Sequence, residues 1–313
     1  MLSARNRFQY QVATGRLTLP VAVILTLAAW AFSSVHDWLN IGSLLAFGVA
    51  AYLLLETETK FALIRTRTTL PAASFLLLYA ATPFLHEAFI GCILPVLFIG
   101  MLLNLFRSYE SYYAPGNLFQ SFLLLSLGSF LLPPLAWIAP LLYIHAISLR
   151  SLNTRSFCAG IMGFTLPYWL LSGYFIWTDN PTGIYPYLTR LIKFQPIDYS
   201  PLTLTHYIAW GITLLFSIVF SLLYLQSAYK DKVQTRILLR IFTWMGLWLH
   251  ILTALQPCYF NELFSLTLIP AAMMSAHYFA LTFNRLSHIL FNATLLLLTF
   301  YCLFNLWMHF FNF

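Results

Sequence analysis

Residues 88–106 read AFIGCILPVLFIGMLLNLF, an unbroken apolar run with Glu87 before it and Arg107 after it. A helix rising 1.5 Å per residue crosses a hydrocarbon core with roughly 20 apolar residues, whereas a barrel strand needs about 9–11 with polar alternation. This run has the helix length and no alternation. In lipid every backbone polar group must be satisfied internally, which leaves the helix as its only stable form.

The same reading extends outward in both directions. Comparable runs occupy residues 17–34, 41–55 and 68–85 before it. After it come 118–132, 135–149, 157–177, 202–226, 237–255, 263–281 and 288–311. The chain is 60% hydrophobic and 8% charged, with a mean hydropathy of +0.79. Soluble domains carry roughly 25% charged residues, so an aqueous globule is excluded. The expected fold is all-α: residues 1–313 form a single integral membrane domain, a polytopic transmembrane bundle of eleven spans.

All but two of the 16 cationic side chains fall in alternate loops. Arg5, Arg7 and Arg16 precede the first run, and the set continues through Lys60, Arg65, Arg67, Arg107, Arg150 and Arg155 to Lys230, Lys232, Arg236, Arg240 and Arg285. The interleaved loops carry only Arg190 and Lys193. Positive loops stay cytoplasmic, which puts the N-terminus inside and, after eleven crossings, the C-terminus outside. Runs 41–55, 118–132 and 135–149 are shorter than a usual crossing, and the last two hinge at Pro133-Pro134. Pairing short runs as re-entrant hairpins lowers the count to nine or seven without changing sidedness. The net charge of +7 is dispersed among loops, so no nucleic-acid partner is expected. The stretch from Leu17 has no convincing cleavage site and reads as a retained span.

The longest polar stretch is the outer loop 178–200, TDNPTGIYPYLTRLIKFQPIDYS. Its middle, 187–194, suits a short interfacial helix with aromatics at headgroup level; an ordinary capping loop is the alternative. A weak internal repeat pairs Val35-His36-Asp37-Trp38-Leu39-Asn40-Ile41-Gly42 with Leu85-His86-Glu87-Ala88-Phe89-Ile90-Gly91. Each sets a His-acid pair at an outward helix end.

Glu56, Glu58, Glu110 and Asp231 fall beside inner cations and read as solvated loop residues. Asp37, Glu87, Asp179, Asp198 and Glu262 fall at the outer face, together with His36, His86 and His206. That face therefore offers acid, base and cation together. The catalytic candidates are Asp37 and Glu87 with His36 and His86, since a carboxylate partly desolvated beside a His is suited to proton transfer. The substrate-binding candidates are Arg190, Lys193, Tyr187 and His250; a divalent cation on the Asp37 or Glu87 oxygens could bind a pyrophosphate, with Arg190 and Lys193 neutralising the rest. The bland alternative makes each His-acid pair a polar cap, because adjacent residues diverge around a helix. No spacing commits to a metal, and no cofactor is assigned. Within the spans, His250 is the leading functional candidate by virtue of its depth, with packing as the alternative; Asn104, His145, Asn292 and His309 are further polar groups. Cys92, Cys158, Cys258 and Cys302 form no CxxC, and a Cys92–Cys258 bridge stands against two unpaired thiols.

Gln256-Pro257-Cys258-Tyr259-Phe260 and residues 266–279, LTLIPAAMMSAHYF, carry two resemblances. The chain resembles a Bacteroidota family of polytopic inner-membrane proteins with no assigned activity, which implies a bacterial inner (cytoplasmic) membrane location. More loosely, it resembles the C superfamily of membrane glycosyltransferases. That resemblance implies a lipid-linked substrate and gives Asp37, in the first outer loop, the role of base or metal ligand; here that loop is much shorter than is usual in the superfamily. Three functions follow as expectations: a glycosyltransferase-like enzyme acting on a lipid-linked substrate at the outer face, a non-catalytic scaffold or assembly subunit, or a transporter or lipid flippase. The lipid bilayer is the common partner.

Overall fold

The structure, a computed structural model, describes residues 7–34 and 38–311. Among the described residues the chain is helical, with no strand. Its helices are α1 (Arg7–Thr14), α2 (Thr18–Ser34), α3 (Trp38–Phe61), α4 (Leu70–Ala80), α5 (Phe89–Arg107), α6 (Ala114–Leu131), α7 (Ala139–Ser148), α8 (Thr154–Trp177), α9 (Tyr185–Ile192), α10 (Leu204–Ser227), α11 (Val233–Leu255), α12 (Phe260–Leu281) and α13 (Arg285–Phe311). Every apolar run named above overlaps one of them. Seven helices are long and apolar enough to cross a membrane, or eight if the bent pair α1–α2 counts as one span. This is therefore an integral membrane protein. The shorter helices are α4, of 11 residues, and α7, of 10 residues behind a 3-10 turn at Pro133–Ile138. Pro133 and Pro134 at the start of that turn, and Pro140 at the start of α7, lack backbone N–H donors and keep the segment from joining α6 and α7.

The chain divides into two compact units: one of Met1–Pro95, Leu202–His250 and Asn261–Phe313, the other of Val96–Pro201 and Ile251–Phe260. The first is organised on α12. Its apolar stretch is buried throughout, as expected for a helix apolar on every side. Gly246 of α11 allows close approach to it: a Cβ there would meet Pro270 Cβ at 3.0 Å. Phe47, Phe75 and Tyr79 form a buried aromatic stack, with ring centroids 5.4 and 3.8 Å apart.

In the second unit α6 and α8 pack tightly. A Cβ on Gly163 would overlap the Phe119 carbonyl oxygen, and Ser129 and Tyr168 share a 2.6 Å hydrogen bond. A capping box starts α8, with Ser156 N–H donating to Asn153 Oδ1 (2.8 Å) and Ser156 Oγ accepting from Asn153 N–H (2.7 Å). The loop 178–200 contains α9, two residues earlier than the sequence suggests, with none of its residues buried.

Candidate functional site

The decisive local feature lies where α1 gives way to α2, at an angle of 88°. Gly15 permits the break, because a Cβ there would overlap the Gln11 carbonyl oxygen. Gln9 fixes α1 in its crosswise position. Its Nε2 lies within hydrogen-bond reach of Phe279 O (2.9 Å), Thr282 O (2.9 Å) and Ser287 Oγ (2.8 Å), so its two hydrogens tie α1 to the α12–α13 turn.

Two cavities of the first unit meet at this break, and both are lined by Thr14, Gly15 and Arg16. One, of about 700 Å³, is an apolar groove walled by residues such as Leu25, Leu77, Phe216, Phe279 and Leu298. The other, of about 1080 Å³, is polar and basic, with Arg16, Arg65, Arg67, Lys230 and Lys232 on its walls. All five cations are exposed, and among the described residues none forms an ion pair with a carboxylate.

The wall between α3 and α4 is shaped by a left-handed turn. Ala62 has φ 47, the conformation that ends many helices, usually at glycine. Leu63 N–H donates to Glu58 O across it (3.2 Å), and the chain turns back to present Arg65 and Arg67. Thr68 Oγ1 then accepts from Leu70 N–H at 3.1 Å. On the same wall Thr69 Oγ1 is buried and makes no hydrogen bond among the described residues.

Two carboxylates also line the basic cleft, and both differ from the solvated loop acids expected from sequence. Glu58 is 3% exposed, and its carboxylate accepts from Ile64 N–H. Asp231 Oδ2 lies 3.1 Å from His277 Nε2, with side chains 6% and 3% exposed. That is ion-pair distance, although Nε2 lacks the alignment of a hydrogen bond. The cleft therefore keeps its cations while its acids are engaged elsewhere, an arrangement suited to an anion.

The outer-face candidates are distributed differently. His36 and Asp37 lie outside the described residues. His86 is fully buried, with Nε2 3.1 Å from Tyr79 O and its backbone carbonyl accepting from Ser43 Oγ at 2.6 Å. Glu87, beside it in the turn before α5, is exposed, so the two neighbours diverge. Glu87 belongs to the first unit, Arg190, Lys193 and Tyr187 to the second. Arg190 and Lys193 border a crevice of about 10 Å³ with Pro133, Trp137 and Gln256, room for about one water. Tyr187 packs against Phe175 (5.9 Å between centroids). In the same loop, the Ser200 N–H donating to Asp198 Oδ1 (2.9 Å) holds that carboxyl below its usual range. His250 is buried, with Nε2 3.0 Å from Ser217 Oγ, a helix-to-helix packing contact. All four cysteines are free thiols. Among the described residues no group of three or more His, Cys, Asp or Glu is placed to hold a metal ion.

Comparison with protein-family models, curated proteins and solved structures returns no match for this chain. Sequence reasoning missed Glu58, Asp231 and His277. The available signal was Lys230-Asp231-Lys232, an acid held between two cations, and a histidine four residues from the end of an apolar run.

Proposed function

We propose that this protein recognises a lipid bearing a phosphate or diphosphate headgroup, and that it does so at the cytoplasmic face of a bacterial inner membrane. The observation carrying this reading is the shared wall Thr14–Gly15–Arg16, where a long apolar groove runs into a cleft of unpaired cations. An acyl or prenyl chain suits the groove. A headgroup phosphate suits the guanidinium forks of Arg16, Arg65 and Arg67, which match phosphate oxygens two at a time. Basic pockets beside membrane helices recognise anionic lipid headgroups in this way.

The cytoplasmic assignment rests on the cation bias, which puts the N-terminus and the cation-rich loops inside. Labelling of cysteines introduced at Arg65 and Arg150 tests it; access from the outside at either position would reverse it. A lipid-linked substrate is also what the glycosyltransferase resemblance implies. The reading here concerns recognition of that substrate, the step a transferase and a flippase have in common.

The test uses the full chain in phosphatidylcholine nanodiscs and three added lipids: a polyprenyl diphosphate, phosphatidic acid and a neutral polyprenol. Phosphate-bearing lipids should bind, polyprenol should bind at least about tenfold more weakly, and Arg65→Ala with Arg67→Ala should remove the difference. The two phosphate lipids separate a prenyl-linked ligand from a bulk phospholipid. Equal binding of polyprenol would overturn the reading.

A further inference from the structure

An acid between two lysines would ordinarily neutralise them. In this cleft it does not, and the reason lies on α12. Asp231 has φ −95 and ψ 157, an extended conformation, in which neighbouring side chains leave the backbone on opposite sides. Among the described residues the Asp231 carboxylate pairs with His277 and with neither lysine.

His277 is a firm anchor. It sits, 3% exposed, in the buried stretch of α12, and the Tyr224 ring packs edge-on against it at 5.2 Å and 89°. Tyr224 is itself held by donation from its OH to Arg236 O at 3.3 Å. Across the cleft Glu58 is likewise engaged, by Ile64 N–H. The two acids on the cleft walls are thus both committed to protein partners, and five cations are left over.

From this geometry we propose that His277 is a positioning residue that withdraws the Asp231 carboxylate from the cleft, leaving Lys230, Lys232 and the arginines free for a phosphate. The proposal rests on the cleft being a phosphate-lipid site. Without His277, the carboxylate between Lys230 and Lys232 would turn to cations for compensation, the cleft lysines among them. It would then act as an internal competitor for the ligand.

The experiment combines a ligand-free and a ligand-dependent readout on the full chain in nanodiscs. Acetylation rates of Lys230 and Lys232, read by mass spectrometry, report whether the lysines are paired; polyprenyl diphosphate binding reports the site. In His277→Leu both lysines should react several-fold more slowly and affinity should fall about tenfold, the effect expected of one competing charge in the site. Adding Asp231→Asn to His277→Leu should restore both, which repair of a packing defect would not do. Asp231→Asn alone should keep or raise affinity and so tests the idea even if His277→Leu does not fold. Unchanged lysine reactivity in His277→Leu, a double variant as weak as the single, or weakened binding in Asp231→Asn would overturn the proposal. Restored lysine reactivity in a protein that binds no phosphate lipid would retain the positioning role and discard the lipid reading.

Discussion

Arg65 and Arg150 carry the same charge and both lie in loops of the cation-rich set, yet their surroundings differ. Arg150 belongs to the second unit and pairs with Glu110 at 3.1 Å, the two side chains being 78% and 47% exposed. Arg65 belongs to the first unit and lines the 1080 Å³ cleft with four other unpaired cations. Arg190 and Lys193 give a third contrast, two cations beside a crevice of about 10 Å³. A cation in a loop thus marks topology in one place and builds a site in another. What separates the cases is whether the surrounding chain supplies an acid and a cavity.

The sharpest way to break this contrast is to remove charge from each region in turn. Arg65→Ala, Arg67→Ala and Lys232→Ala together should lower polyprenyl diphosphate affinity about a hundredfold, since several charge-assisted contacts go at once. Arg150→Ala should change it less than about twofold, because that charge is already paired and exposed. Titration in nanodiscs checks both, and equal losses would remove the distinction. Raising ionic strength from about 0.05 to 0.5 M should weaken wild-type binding by about tenfold, because open clefts are screened.

The α1–α2 break gives a smaller effect that separates shape from charge. Gly15→Val places a side chain against the Gln11 carbonyl oxygen. Displacing the wall common to both cavities should cut lipid affinity by roughly fivefold to tenfold with all cations present, at a cost of about 1–3 kcal/mol in stability. Wild-type affinity in this variant would show that the groove and cleft act independently. Gln9→Leu should lower stability by about 1–3 kcal/mol through lost buried hydrogen bonds, seen as a reduced melting temperature, with a milder loss of affinity as α1 loosens. The smallest effect is expected from Glu110→Gln, within about 1 kcal/mol of wild type. A large loss there would make the second unit's surface pair a structural element.

Much of the fold was legible. The run 88–106 became α5, and each other apolar run overlaps a helix, because a long uncharged segment has only one way to satisfy its backbone in lipid. The helix in 178–200 was also anticipated, from aromatics and cations at interfacial spacing. Run 68–85 gave a shorter helix, since Pro83 starts a separate 3-10 turn at Pro83–Leu85. The site was harder to read. Lys230-Asp231-Lys232 looked like a solvated loop because nothing local indicates that its acid is buried against His277, a residue far along the chain.

The sequence by itself determined helical membrane architecture, since composition and run length act locally and need no partner. It also determined which loops are cationic. Only the tertiary structure decided that Arg16, Arg65, Arg67, Lys230 and Lys232 line one cleft, that Glu58 and Asp231 on its walls are engaged by Ile64 N–H and His277, and that an apolar groove opens at the same break. Those are relations between distant segments, set by the packing of α12 and the crosswise seat of α1. Charge along a chain is additive, but charge in a cavity depends on which neighbours folding brings within reach.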